Sequence, residues 1–146
     1  DTMGAGRHRG APGTQITYGP SHSPMTVIFA SDGQVNPARG VLSGGDGNKG
    51  ELNVIDKAGH STRAPSVGQI ELQKGEWLSG IDLAGGGYGR PTDREPEHVL
   101  EDVLERYITL EHAKQVYGVI FTGTISDESL KINRAATTEL RAEMRT

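Results

Sequence analysis

Five histidines, His8, His22, His60, His98 and His112, are the first residues in this sequence that could hold a metal or move a proton. No two of them stand four residues apart, the spacing that sets a pair of ligands on one helix face. His98 and His112 fall in helical patterns with acids beside them, as surface histidines do. His8 is flanked by Arg7 and Arg9, whose positive charges disfavour a second cation nearby. His22 and His60, both in loop-like stretches, are left as the metal candidates, against the plainer alternative of exposed loop histidines. Histidine and carboxylate would suffice for zinc, iron or manganese, but ligand spacing is missing.

Nucleophilic chemistry finds less support. No G-x-S-x-G elbow and no H-E-x-x-H pair occurs. The chain has no cysteine, which removes thiol nucleophiles, disulfides and Cys-based zinc sites together. Arg7, Arg9 and Arg39 suit a carboxylate or phosphate, with a solvated basic loop as the alternative.

Two glycine-rich stretches remain, Gly40–Gly50 and Gly85-Gly86-Gly87-Tyr88-Gly89-Arg90-Pro91. Four glycines in five positions allow close approach to another surface. Pro91 stiffens the exit. The second stretch follows a predicted strand and precedes a helix, as phosphate loops do. It lacks the G-K-[ST] ending, and its helix starts too late for the N-terminus to reach the same phosphate. Gly85, Gly86, Gly87, Tyr88, Gly89 and Arg90 are therefore expected to form a structural joint or a subunit contact.

The elements around this joint differ on its two sides. Before it, Thr14–Tyr18, Met25–Ala30, Glu51–Asp56, Val67–Leu72 and Trp77–Leu83 predict five short strands. Met25–Ala30 is expected to be buried, and Lys74-Gly75-Glu76 to be a hairpin turn. After it, Glu95-Pro96-Glu97 opens a helix with Val99, Leu100, Val103, Leu104 and Tyr107 as its apolar stripe. Thr109 predicts a cap for a second helix that ends at Gly118. Gly118–Thr122 predicts a short buried strand, and Asn133 caps a last helix striped by Ala136, Leu140 and Met144. The helical stripes are expected to cover the β half. The predicted fold class is α+β: a small antiparallel β-sandwich or barrel followed by two to three packing helices. One domain spans 1–146, with a β-rich half at 1–84, the glycine-rich joint at 85–91 and a mainly helical half at 92–146.

Composition limits the function classes. Glycine, at 21 of 146 residues, is about twice its usual ~7%. Leu, Ile, Val and Phe number only 30, so the core is thin. A thin core with many glycines predicts a chain that draws stability from a partner. Net charge is −4 with no basic face, which argues against nucleic acid. No apolar run reaches the ~18 residues of a membrane span, and no signal peptide is visible. A cytoplasmic location is the expectation.

Four segments together resemble one family. They are Gly4-Ala5-Gly6-Arg7-His8-Arg9-Gly10; Gly44-Gly45 with Gly47 and Gly50; Gly85 to Pro91; and the stretch from Glu95 through Val99, Asp102, Ala113 and Tyr117-Gly118-Val119 to Ala135-Ala136 and Leu140-Arg141. This pattern resembles the C-terminal portion of hydantoinase B-type subunits, a family that includes 5-oxoprolinase and the ATP-dependent acetone and acetophenone carboxylases. Ala84 stands where the family usually has a further glycine, Arg90 where it has an acid, and His8 where it is commonly aromatic. The charge reversal at Arg90 prevents any role of that acid from carrying over.

The resemblance implies a small, largely structural subunit, or a fragment, of a larger enzyme. The reading it favours is an acetophenone-type ketone carboxylase that uses ATP and bicarbonate. The alternatives are a hydantoinase or 5-oxoprolinase-type amidohydrolase and, outside the family, a stand-alone ligand-binding β domain. It implies ATP and a divalent metal in the complex, bound mainly by other chains. It also implies two partners: a hydantoinase A-like ATP-using subunit and the large N-terminal part of a hydantoinase B-like one. No catalytic side chain is expected here.

Overall fold

The structure is a computed structural model that describes residues 1–145. Its architecture is α+β, with every strand pairing antiparallel. A four-stranded sheet has the order β1 (Gln15–Tyr18), β6 (Trp77–Ile81), β3 (Glu51–Ile55), β4 (Ser61–Arg63). A two-stranded ribbon joins β2 (Met25–Ala30) to β5 (Val67–Leu72), and a smaller one joins β7 (Phe121–Thr122) to β8 (Lys131–Ile132). The sheets stay open and form no barrel.

The β half departs from the expectation in three places. β2 is not buried: its residues alternate between half-buried and exposed, and Ile28 is 78% exposed. Lys74-Gly75-Glu76 is a turn with Gly75 at φ 89°, but it does not close a hairpin. β5 pairs with β2 and β6 with β1 and β3, so this turn carries the chain from one sheet to the other. The local turn residues say that the chain reverses; they do not say which strand receives it. β4 has no counterpart among the predicted strands. It exists because Asp56 builds the reversal: its carboxylate accepts from the amides of Ala58 and His60 at 2.8 and 2.9 Å, the Asx arrangement that mimics a backbone turn.

The helices begin and end where local chemistry dictates. α1 spans Pro96–Leu104 with proline in the first turn. α2 spans Leu110–Tyr117; the Thr109 side chain accepts from the His112 amide, and Gly118 closes it in the left-handed conformation at φ 63°. α3 spans Arg134–Glu143, with the Asn133 side chain accepting from the Ala136 amide. Their stripes are narrower than their periodicity suggests. Val99 and Val103 are fully buried, whereas Leu104 and Tyr107 stay exposed. In α3 Thr137, not Leu140 or Met144, enters the interior, where its hydroxyl accepts from the Ile120 amide at 3.0 Å. Gly118–Thr122 contains the fully buried Val119, but only Phe121–Thr122 pairs as a strand.

The helical stripes pack on the small β7–β8 ribbon and do not cover the sheets of the 1–84 half. Val99, Val103, Ile108, Ala113, Tyr117, Val119 and Leu130 form one cluster with Met3 and Ala5 from the N-terminal run. Met3 and Ala5 enter the helical cluster, while Gly4 and Gly6 lie against the backbone of the 85–91 joint.

Candidate functional site

The glycine-rich stretches converge. The 4–13, 38–48 and 84–89 segments lie backbone against backbone, and each hydrogen-bonds to the other two. The Gly4 amide donates to the Gly85 carbonyl at 2.8 Å, Gly45 to Ala5 at 2.7 Å and Gly87 to Gly45 at 2.9 Å. The approach leaves no room for side chains at the contacts. A Cβ on Gly44 would sit 2.1 Å from the Gly87 carbonyl oxygen, and one on Gly10 would sit 2.0 Å from that of Gly85. Collagen uses glycine for the same reason, at a backbone crossing too tight for any Cβ.

This packing decides what the 85–89 loop can do. Gly85 donates to Ala11, Gly87 to Gly45, Tyr88 to His8 and Gly89 to Val41, all at 2.8–2.9 Å. A phosphate loop needs successive amides aimed at a ligand; four of these five are spent inside the bundle. Ala84, in place of a glycine, is fully buried and tolerated. Arg90 is exposed just outside the bundle and leads into a short 3₁₀ turn, Pro91–Asp93.

Beside the bundle lies a buried ion-pair cluster. Asp102, on α1, is buried with 3% of its side chain exposed. One carboxylate oxygen accepts from Arg9 Nε at 2.7 Å; the other accepts from Arg94 Nε at 3.1 Å and lies 2.9 Å from its terminal nitrogen. Arg9 also stacks over the Tyr107 ring at 4.8 Å, a favourable cation–π placement. Arg94 donates onward to the Arg7 carbonyl at 3.3 Å and receives a hydrogen bond at its own carbonyl from Arg141. The carboxylate thereby ties the N-terminal run, the segment after the joint and α1 together. The buried Tyr117 hydroxyl lies near this group without a well-formed hydrogen bond, and burial raises its pKa. A phenol so placed stays protonated and acts as packing, not as a base.

The other candidates are dispersed. His60 sits on the β3–β4 turn, its Nδ1 3.1 Å from Asp56, and His22 lies in an exposed loop. Among the described residues no three His, Asp or Glu gather as metal ligands do, and neither histidine has a ligand set around it. Arg7 and His8 line a cleft of about 190 Å³ with Asp93, Arg94, Glu95 and His98, where both signs of charge meet. Of the expected anion ligands, Arg9 is engaged by Asp102 and Arg7 is exposed. Asp102 and Arg94 are absent from the sequence candidates. The available signal was a carboxylate three residues from Val99, on the apolar side of its own helix.

The pattern that defines the hydantoinase B/oxoprolinase family matches residues 1–91, which hold all three glycine segments of the bundle. This chain belongs to that family. It is 36% identical over 113 residues to a protein of Pseudomonas sp. (strain NS671) assigned as the B component of a D-/L-hydantoinase, covering 76% of this chain and 18% of that one. It is 29% identical to the beta chain of the Pseudomonas jessenii caprolactamase, covering 93% of this chain and 24% of that one. Its fold matches the ATP-dependent caprolactamase of Pseudomonas jessenii with a TM-score of 0.67 at 20% identity, over 94% of this chain and 24% of that one. It matches nucleotide-free acetone carboxylase with a TM-score of 0.60 at 19% identity, over 99% of this chain and 23% of that one. The chain thus spans less than a quarter of the length of these relatives. No helix among the described residues is long and apolar enough to cross a membrane.

Proposed function

We propose that this chain is a largely structural part of a hydantoinase B-type subunit in an ATP-dependent enzyme that opens a cyclic amide. The observation that carries this reading is the inward use of the chemistry. Four of the five amides from Gly85 to Gly89 bond within the bundle, and the Arg9 and Arg94 charges are both bound by Asp102. Such a module clamps a fold and leaves nucleotide, metal and substrate to other surfaces. ATP and a divalent metal are held by the rest of the B-type subunit and by a hydantoinase A-like partner, in a cytoplasmic complex. Gly85 to Arg90 then serve as the joint that assembly depends on. The cyclic-amide class rests on the two sequence relatives, one from a hydantoinase and one from a caprolactamase.

A second reading is a ketone carboxylase, acetophenone-type, that uses bicarbonate. The shared fold with acetone carboxylase over 99% of this chain favours it. ATP hydrolysis by the purified complex separates the two. Stimulation by a hydantoin or lactam without bicarbonate supports the first reading. Stimulation only by a ketone together with bicarbonate refutes it in favour of the second. If the chain purifies without any hydantoinase-type polypeptide, both subunit readings fail.

A further inference from the structure

β2 is an unguarded edge. It pairs with β5 from Met25–Leu72 to Ala30–Val67, and its other edge meets no strand among the described residues. Natural edge strands are kept from pairing with other chains by charge, proline, bulges or shortness. The other free edges here carry such features. β4 is three residues long and ends in Arg63; β5 contains Gly68 and Glu71; β1 has four residues and is closed by Gly19-Pro20. β2 has none within its span, with Pro24 only preceding its first residue: Met-Thr-Val-Ile-Phe-Ala is six residues without charge, glycine or proline, and Thr26, Val27, Ile28 and Phe29 are of high strand preference.

The exposed face of the ribbon agrees. Thr26, Ile28 and Ala30 stand opposite Glu71, Gln69 and Val67. On this face Ile28 is 78% exposed and Val67 70%. A two-stranded ribbon is marginal in water unless more strands or a packed layer support it. The relatives carry more than three quarters of their length outside the region this chain matches, so there is ample polypeptide to supply a strand.

We propose that the open edge of β2 receives a strand from the remaining polypeptide of the hydantoinase B-type subunit, extending the β2–β5 ribbon to at least three strands. This rests on the reading of the chain as part of such a subunit. Main-chain hydrogen bonds along β2 supply the affinity, and an apolar side chain of the incoming strand covers Ile28.

Residue-resolved amide exchange on the assembled subunit tests the proposal. In an antiparallel ribbon, alternate amides of β2 point at β5 and the others point outward. With a third strand bound, every amide from Met25 to Ala30 is protected, the outward set roughly 100-fold or more against its unstructured rate. Ile28→Lys should remove the outward set's protection while β6 and α2 exchange as before, and Ile28→Val should retain it. If the outward amides exchange at open rates in an assembled subunit, the edge is free; the proposal is then wrong while the subunit reading stands. If they are protected and an Ile28→Cys variant forms disulfide-linked pairs of this chain, the occupant is a second copy and the proposal is again wrong. If peptide mass spectrometry finds no hydantoinase B-type sequence beyond this chain in the assembly, the subunit reading itself has failed.

Discussion

Replacing Gly87 by alanine should unfold this protein at a much lower temperature than replacing Gly80 by alanine. A Cβ on Gly87 would lie 2.0 Å from the Ala5 carbonyl oxygen, 2.5 Å from its carbon and 2.8 Å from the Gly4 oxygen. All three are main-chain atoms, so no side chain can swing aside. Ordinary contact begins near 3.4 Å, and the segments must part by roughly 1 Å or more. Separation on that scale breaks the bonds from Gly87 to Gly45 and from Gly4 to Gly85, now 2.9 and 2.8 Å. Two lost hydrogen bonds at about 1 kcal/mol each, with about 1–3 kcal/mol for groups left buried and unpaired, total about 3–5 kcal/mol. That is a large share of the ~5–15 kcal/mol that holds a domain together. Gly80 is the control. Its Cβ would meet Leu52 at an ordinary 3.5 Å, and alanine in a strand is favoured over glycine by about 0.5–1 kcal/mol. Both substitutions remove one glycine from the unfolded chain, so that effect cancels. Thermal unfolding followed by circular dichroism should place Gly87→Ala roughly 10 °C below Gly80→Ala. Midpoints that agree within about 2 °C would refute the packing argument, because the bundle would then tolerate a side chain at its tightest crossing.

Three further outcomes follow from the charges. Asp102→Asn strands two guanidinium groups; because Arg9 keeps 24% side-chain exposure and Arg94 11%, the loss in urea unfolding should be about 2–4 kcal/mol, somewhat below that of a fully buried pair, and a loss under about 1 kcal/mol would show that the clamp is ornamental. His112 has its pKa lowered by burial from 6.5, so the folded state disfavours its proton; stability is full above about 6.5 and declines as pH falls through that value, and His112→Gln should flatten the decline in unfolding curves taken from pH 7.5 to 5. Asp127 is held at about 2, against 3.8, chiefly by hydrogen bonds from the Ser129 and Thr124 hydroxyls; its contribution is present above 3.8 and is lost as pH falls toward 2, and a carboxyl NMR titration should move upward in Ser129→Ala.

The local grammar of the chain is legible in its residues. Thr109, Gly118 and Asn133 mark helix ends because a cap is decided by one side chain and the amides two or three positions away. The strand runs at Met25, Glu51, Val67 and Trp77 are visible for the same reason, since a short apolar or alternating run bounded by turn residues is a property of about six adjacent residues. The glycine-rich segments, read together with Tyr88 and the later Tyr117-Gly118-Val119, are enough to suggest the family. What those glycines do is a matter of distance, not type. Gly87 is required because Ala5 and Gly45 arrive from 82 and 42 positions away, and nothing within the 85–91 stretch records that approach. The Arg9–Asp102 pair spans 93 positions, which is why Arg9 reads as a free anion ligand until Asp102 is found against it. The same limit explains why the turn at Gly75 is visible and its destination is not. Sequence determines the turn, the cap and the strand through neighbours along the chain. Which backbones touch, and which charges cancel, is decided only when distant segments share one interior.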